Sequence, residues 1–424
     1  MNKPSETLTA VPCPACGLLC DDLTVSLQDE RLQVTDKGCA KSRAFFETPL
    51  VETPPHIDGK PASLSDAIAA AVDRLQQARH PLIGGLATDI TGMRAVMSLA
   101  GTARATLEHM NSYSSMRNLL VMQNSGWQTT TLTEVRNRVD LLVIVGTDIV
   151  SSFPRFFERM VWNDETLFGQ DTAAREVVYL GGRDLDTRAG VSPTGKAPEV
   201  LPCDLARLPE VLAALRAIAA GKPVKADTIA GIPATALASL AVRLKAAKYG
   251  VIAWSASALD FPHAELAIQS ITGLVADINQ TTRCAGLPLS GNEGDLGAYN
   301  TSAWISGYPL RSSYRRDHPD YDPYHYEGAR MLAEGEADLL LWINSYSPTR
   351  SPADGRVPDI VIGHPATVFE HAPAVFIPVA TPGVEIKGIQ FRSDSSVALP
   401  LKQLRQTTLP ALADVLAAIE SGLR

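Results

Sequence analysis

The sequence predicts an α/β protein, with a small cysteine-rich N-terminal lobe followed by Rossmann-like layers. Three observations carry that prediction. After residue 60, short apolar runs ending in glycine or a small polar residue alternate with stretches whose apolar positions recur at helical spacing. Four of the chain's 6 cysteines crowd into VPCPACGLLCDDLTV and KGCAKS near the start. One long stretch, 284–330, follows neither the helical nor the strand period.

The alternation can be read element by element. LSDAIAAAVDRLQQAR (64–79) has apolar residues on one helical face, and PLIGGLA follows as a buried strand ending in a turn. DLLVIVGTD (140–148) is a parallel-strand pattern entering its βα loop, with PRFFERMVW as the expected helix behind it. REVVYLGGRD (175–184) repeats the strand signal, and ARLPEVLAALRAIAAG reads as an Ala-rich helix. GVIAWSAS (250–257), the helix HAELAIQSITGLVADINQ (263–280), and the strands ADLLLWINS, PDIVIGH and AVFIPVA complete the series. LPALADVLAAIESGLR is an amphipathic terminal helix, and no C-terminal β-barrel domain is expected after it. The resulting division is a lobe at 1–55, Rossmann-like layers at 56–200 and 331–424, a second α/β layer at 201–283, and a long ordered aromatic loop at 284–330.

Composition bounds the function. At 424 residues, 45% hydrophobic and 20% charged, with mean hydropathy +0.02, the chain can bury large cores and is not a disordered protein. The net charge of -8 lacks the basic face that nucleic acid demands. Neither a signal-peptide pattern nor a run of about 18 apolar residues is present, so a cytoplasmic protein without a membrane span is expected. In a reducing cytoplasm the clustered cysteines read as ligands rather than disulfides.

The 284–330 stretch is rich in Gly, Asn, Asp, Tyr and Pro, and loops of that length in a compact domain usually bind something. Its aromatic residues, Tyr299, Trp304, Tyr308, Tyr324 and Tyr326, suggest a partner-facing surface. His318 and His325 flank an acidic stretch but lack a spacing that would fix two ligands on one face, so they read as a solvated loop. GTD (146–148) and GGRD (181–184) end strands and read as tight turns, since neither forms a complete phosphate-binding glycine motif.

Cys13, Cys16, Cys20 and Cys39 form C-x2-C-x3-C followed, after eighteen residues, by a fourth cysteine. That supplies four thiolates for a 4Fe-4S cluster or a tetrahedral zinc. A zinc ribbon pairs two C-x2-C knuckles and only one is present, so the spacing leans towards iron-sulfur. Cys203 and Cys284 read as small core residues.

CPACGLLCDDLTV with GCAKS resembles the N-terminus of molybdenum- and tungsten-pterin oxidoreductases, most closely the B subunit of formylmethanofuran dehydrogenase. TTTLTEVRNRVDLLVIVGTD, INQTTRCAGLPLSGNEGDLGAYNTSAWISGYP and PVATPGVEIKGIQFRSD extend the resemblance in order along most of the chain. It implies a molybdopterin-oxidoreductase-like fold. The dehydrogenases hold their metal through a cysteine or selenocysteine about twenty residues before the Glu of T-x-x-E-V. Counting back from Glu134 leads to Ser114, a hard oxygen ligand in place of a soft one. Where the family resembles H-P-R-H, this chain has FPRF, and Phe153 and Phe156 carry no proton.

Such a chain is most like the B subunit of the bacterial formyltransferase/hydrolase complex. That resemblance implies a redox-inactive structural subunit without its own active site, in tetrahydromethanopterin-linked one-carbon metabolism. The complex handles a formyl group on a methanofuran-type carrier and releases formate. Its partners would be subunits resembling A and C and a formyltransferase, with no molybdenum or tungsten pterin. Two other readings are an active molybdenum or tungsten dehydrogenase subunit, with serine as metal ligand, and a zinc-binding interaction protein.

Overall fold

The computed structural model describes residues 6–316, 318–352 and 357–424. The chain divides into two compact units, Met1–Ser112 with Gly291–Arg424, and Tyr113–Ser290. This departs from the division expected above. The stretch 56–200 contributes strands to both units, and 201–283 is not a layer of its own but completes the sheet begun at Leu141–Val145.

The Tyr113–Ser290 unit is built on five parallel strands in the order Glu199–Leu201, Glu176–Leu180, Leu141–Val145, Gly250–Trp254, Cys284–Pro288. Numbered along the chain this is 3-2-1-4-5, a doubly wound order that reverses between Leu141–Val145 and Gly250–Trp254. All five residues of Leu141–Val145 are buried, which is why that stretch reads as a continuous apolar run rather than an alternating one. Helices Leu208–Ala219, Ala234–Ala246 and Ala264–Ile278 supply the covering apolar stripes, including Leu212, Leu215, Leu240, Ile268 and Ile271. The TxxEV motif has a local structural role. Thr131 is the N-cap of helix Leu132–Arg138, its side chain accepting from the Glu134 backbone N–H at 3.1 Å, and Glu134 pairs with Arg138 one turn on. PRFFERMVW is not the α-helix expected but a π-helical turn, Phe157–Val161. Phe156, Phe157, Met160 and Val161 are all buried, so the wider turn aims more apolar side chains inward than one α-helical stripe would.

In the other unit a nine-stranded sheet has five parallel strands at its centre, ordered Thr106–Leu107, Pro81–Ala87, Leu339–Asn344, Asp359–Gly363, Val375–Pro378. Short antiparallel strands flank them on both sides. Helices Leu64–Gln77, Ile90–Ala103 and Leu412–Leu423 bury Leu75, Met93, Val96, Val415 and Ile419 in a core with Ile83, Leu341, Ile343, Ile360 and Ile362. Ser63 and Asp89 cap the first two helices through their side-chain oxygens. The N-terminal segment is a three-stranded antiparallel meander, Glu6–Val11, Leu23–Gln28 and Arg31–Asp36, followed by helix Ala40–Phe46.

The stretch 284–330 is not a loop. It holds strand Cys284–Pro288, helix Asp295–Ser306, the short pair Ser312–Ser313 and Asp320–Tyr321, and helix Gly328–Ala333. Helix Asp295–Ser306 shows no apolar stripe because the face it buries consists of Asp295, Gly297, Ala298, Thr301 and Ser302. Gly294 and Gly307, both with left-handed backbone, mark its two ends. Of the five aromatic residues singled out, Trp304, Tyr308 and Tyr324 are exposed, whereas Tyr326 is buried. Asp317, in the acidic stretch beside His318, lies outside the described residues. Cys203 and Cys284 are buried, as expected of core residues. Among the described residues no helix is long and apolar enough to cross a membrane.

Leu208 is fully buried where its helix meets the strand ends, and a Cβ on Gly181 would lie 2.5 Å from its Cδ2. Leu208→Ala is expected to destabilise this unit by about 2–5 kcal/mol, the usual cost of such a cavity. Denaturant unfolding monitored by tryptophan fluorescence checks this.

Candidate functional site

The four N-terminal cysteines come from two local structures. Cys13, Cys16 and Cys20 lie on a tight loop between two strands of the meander, closed by Cys13 N–H to Cys20 O at 2.8 Å and Leu19 N–H to Cys16 O at 3.1 Å. Cys39 is the N-cap of helix Ala40–Phe46, with its Sγ accepting from Ser42 N–H at 3.4 Å. Backbone N–H groups of Ala15 and Leu18 point at the sulfurs of Cys13 and Cys16. N–H groups directed at sulfur favour thiolate, and hence metal ligation, over a neutral thiol. Burial works against this in the metal-free chain. It raises the Cys13 thiol well above its usual range and pushes Cys16 up to about 12, and the charges of the neighbouring cysteines add to both shifts. The four thiols thus share one electrostatic environment. Among the described residues, no group of three or more His, Cys, Asp or Glu side chains is arranged to hold a metal ion.

The cysteine loop is seated on the returning chain. Ser393 N–H donates to Gly17 O at 2.7 Å, and a Cβ on Gly291 would come within 2.6 Å of Gly17 Cα. Gly291 also has φ +96°, so two constraints converge on glycine there. Immediately after it, Asn292–Asp295 meets Glu108–Ser112 in a partly buried polar knot. His109 Nδ1 accepts from Asn111 N–H at 3.0 Å, which leaves the proton on Nε2 to donate to Glu293 O at 3.2 Å. Arg350 Nη1 bridges Asn111 Oδ1 at 2.7 Å and Glu293 Oε2 at 2.6 Å. Ser112 Oγ and the Tyr299 hydroxyl lie 2.9 Å apart. Burial lowers His109 to about 3 and raises Asp295 to about 7. Burial thus disfavours the charged form of both groups. The knot carries no paired nucleophile and base. Sequence reading missed it because EHMN and GNEGD have no periodicity and lie far apart in the chain.

The remaining candidates do not assemble a site. Ser114 is half-buried in the first turn of helix Ser112–Ser125. Phe153 and Phe156 are fully buried, and Arg155 between them is paired with Glu158 at 2.6 Å. The two strand-end turns are spent: Gly146 N–H donates to Leu180 O, Gly181 N–H to Leu201 O and Gly182 N–H to Cys203 O, each at 2.9 Å. Above Gly146, a Cβ would meet Leu208 and Leu259 at 2.8 Å and Leu205 at 3.0 Å. The glycine N–H groups of these turns are therefore already engaged, and leucine side chains occupy the space beside them. His318 and His325 are exposed, as a solvated loop requires.

No protein-family model matches the chain. Curated relatives do. It is 27% identical over 420 residues to the B subunit of the tungsten-containing formylmethanofuran dehydrogenase 2 of Methanocaldococcus jannaschii, covering 94% of this chain and 93% of the relative. It is 29% identical over 373 residues to the Fhc B subunit of the formyltransferase/hydrolase complex of Methylorubrum extorquens, covering 87% of this chain and 96% of the relative. Among solved structures, a chain of the M. extorquens formyltransferase/hydrolase complex FhcABCD, crystallised with methylofuran, superposes with a TM-score of 0.73. That match has 26% identity and covers 87% of this chain and 98% of the other. The resemblance read from the cysteine motif and the central segments holds: the chain's homologues are B subunits of formylmethanofuran dehydrogenases, together with the Fhc B subunit, and it shares the mixed α/β fold of the latter complex's chain.

Two substitutions probe this region. Between about pH 4 and pH 7 folded Asp295 keeps a proton that the unfolded chain, ionising near 3.8, has lost, so its contribution to stability falls as pH rises across that window. His109 acts in the opposite sense, since its stability is lost as pH falls below 6.5. Asp295→Asn is therefore expected to raise the calorimetric melting temperature at pH 8 and to give no gain at pH 4. Gly291→Ala should cost about 1–3 kcal/mol through backbone strain and collision with Gly17. Faster amide exchange confined first to residues 13–20 is the measurement that checks it.

Proposed function

We propose that this chain is a structural, redox-inactive B subunit of a formyltransferase/hydrolase complex. In this reading the complex takes a formyl group on a methanofuran-type carrier and releases formate in tetrahydromethanopterin-linked one-carbon metabolism. The observation that carries it is coverage: the chain aligns with 98% of a subunit of such a complex, at a TM-score of 0.73. Subunits resembling A and C and a formyltransferase would supply the chemistry, in a cytoplasmic assembly.

The tungsten dehydrogenase relatives make an active redox subunit the competing reading, and three features weigh against it. A serine stands at position 114, phenylalanines stand at 153 and 156, and leucines pack against the strand-end glycines of the Tyr113–Ser290 unit. These residues do not fit a molybdenum or tungsten pterin in the molybdopterin-oxidoreductase manner.

The N-terminal thiols have the donor chemistry of a metal group, although in the metal-free chain they are not gathered around one centre. Cys13, Cys16, Cys20 and Cys39 would hold a 4Fe-4S cluster, with zinc as the second candidate, and three of the four sulfurs already face a backbone N–H. Such a group would supply a cross-link between the meander loop and the following helix, and folding free energy with it. The residues of this chain do the rest: Gly17 and Ser393 seat the loop, and Arg405, paired with Glu385, reaches the carbonyls of Glu30 and Thr48.

The test is elemental analysis of the purified complex alongside formate release. Iron and sulfide, or zinc, are expected, without molybdenum or tungsten; stoichiometric tungsten or molybdenum would overturn the redox-inactive reading. Cys16→Ser should loosen the N-terminal segment and reduce recovery of the assembled complex. Formate release per assembled complex should stay unchanged.

A further inference from the structure

Within the Tyr113–Ser290 unit, a pocket of about 510 Å³ is lined by Trp127, Gln128, Arg216, Gln269, Thr272 and Gly273. None of these residues belongs to the loops that follow the sheet strands, so the pocket is separate from the strand-end glycines. It contains a glycine that helix propensity does not explain. Gly273 lies in the interior of helix Ala264–Ile278, where glycine is among the least favourable residues. A Cβ at that position would stand 2.5 Å from Arg216 Cζ, 2.6 Å from Nη1 and 2.8 Å from Nη2. The guanidinium therefore lies against the helix backbone only because residue 273 has no side chain.

The neighbours orient that guanidinium. Asp277 Oδ2 accepts from Nε at 2.9 Å, which fixes one edge and leaves Nη1 and Nη2 without a protein partner among the described residues. Trp127, half-buried, supplies a flat aromatic lining and is held by an edge contact with Trp254, ring centres 6.2 Å apart. Asn279 Nδ2 donates to Gln128 Oε1 at 2.8 Å, and Gly286 N–H donates to Gln128 O at 2.9 Å. The pocket thus combines a seated fork of cationic donors, a rigid aromatic lining and a floor of small residues. That combination suits a planar anion: a carboxylate pairs with the fork and a ring lies beside the indole.

We propose that this pocket binds a small aromatic carboxylate, with the carboxylate on the Arg216 Nη groups and the ring beside Trp127. The same carboxylate chemistry could be presented by a side chain of a partner protein, and the test separates the two sources. The full-length chain, purified with any subunits that accompany it, is titrated with benzoate and, separately, with benzamide. Calorimetry and tryptophan fluorescence report binding.

Saturable one-to-one binding of benzoate is expected, at least tenfold tighter than that of benzamide, and at least tenfold weaker in Arg216→Gln. Gly273→Ala should abolish binding without lowering the melting temperature, since alanine favours the helix while its Cβ displaces the guanidinium. No saturable benzoate binding, equal binding of benzamide, or unchanged binding in both variants would overturn the proposal. Failure of benzoate to bind, combined with loss of a subunit from the Arg216→Gln complex, would overturn the small molecule in favour of a partner's carboxylate. Neither result depends on whether the complex releases formate.

Discussion

A parallel strand that ends inside a protein leaves backbone N–H groups that something must satisfy, and the Tyr113–Ser290 unit depends on how it meets that demand. Gly146, Gly181 and Gly182 carry the ladder past the strand ends, their N–H groups donating to the carbonyls of Leu180, Leu201 and Cys203. Their missing side chains then admit Leu205, Leu208, Leu259 and Leu185. A doubly wound sheet of this order ordinarily uses such turns to face a ligand across the point where strand order reverses. Here the same glycines serve the packing of leucine. Close packing is gained at the strand ends because these three residues carry no side chain.

In the other unit the close approach of Gly17 and Gly291 plays a comparable part. It ties the cysteine loop to the segment that begins helix Asp295–Ser306, and the polar knot of His109, Asn111, Glu293 and Arg350 lies directly beyond. Its members are mutually paired around the buried His109 ring, with Asn111, Glu293 and Arg350 partly exposed, so the geometry is specified by several bonds at once. A metal group at the cysteines would stiffen one side of this contact. The polar knot stiffens the other. Both features fix the local geometry of this unit.

Much of this was legible beforehand, for identifiable reasons. Strands such as Leu141–Val145 and Leu339–Asn344 are buried on both faces and therefore appear as uninterrupted apolar runs. The cysteine spacing, Ser114 and the FPRF stretch are local in the chain and need no fold to be noticed. Helix Asp295–Ser306 escaped because its buried face is small and polar, and the π-helical turn at Phe157–Val161 because apolar spacing does not distinguish turn widths.

By itself the sequence determined the α/β class, most of its elements, the candidate ligand cysteines and the resemblance to the B subunit of formylmethanofuran dehydrogenase. Each of these is carried by neighbouring residues or by motifs in linear order. Only the tertiary structure decided that 113–290 forms a unit of its own, that the strand-end glycines face leucine, and that Gly273 makes room for Arg216. The physical reason is the same in each case. Arg216 and Gly273, or Gly146 and Leu259, are dozens of residues apart in the chain, and their meaning lies in a contact of a few ångströms that no local pattern encodes.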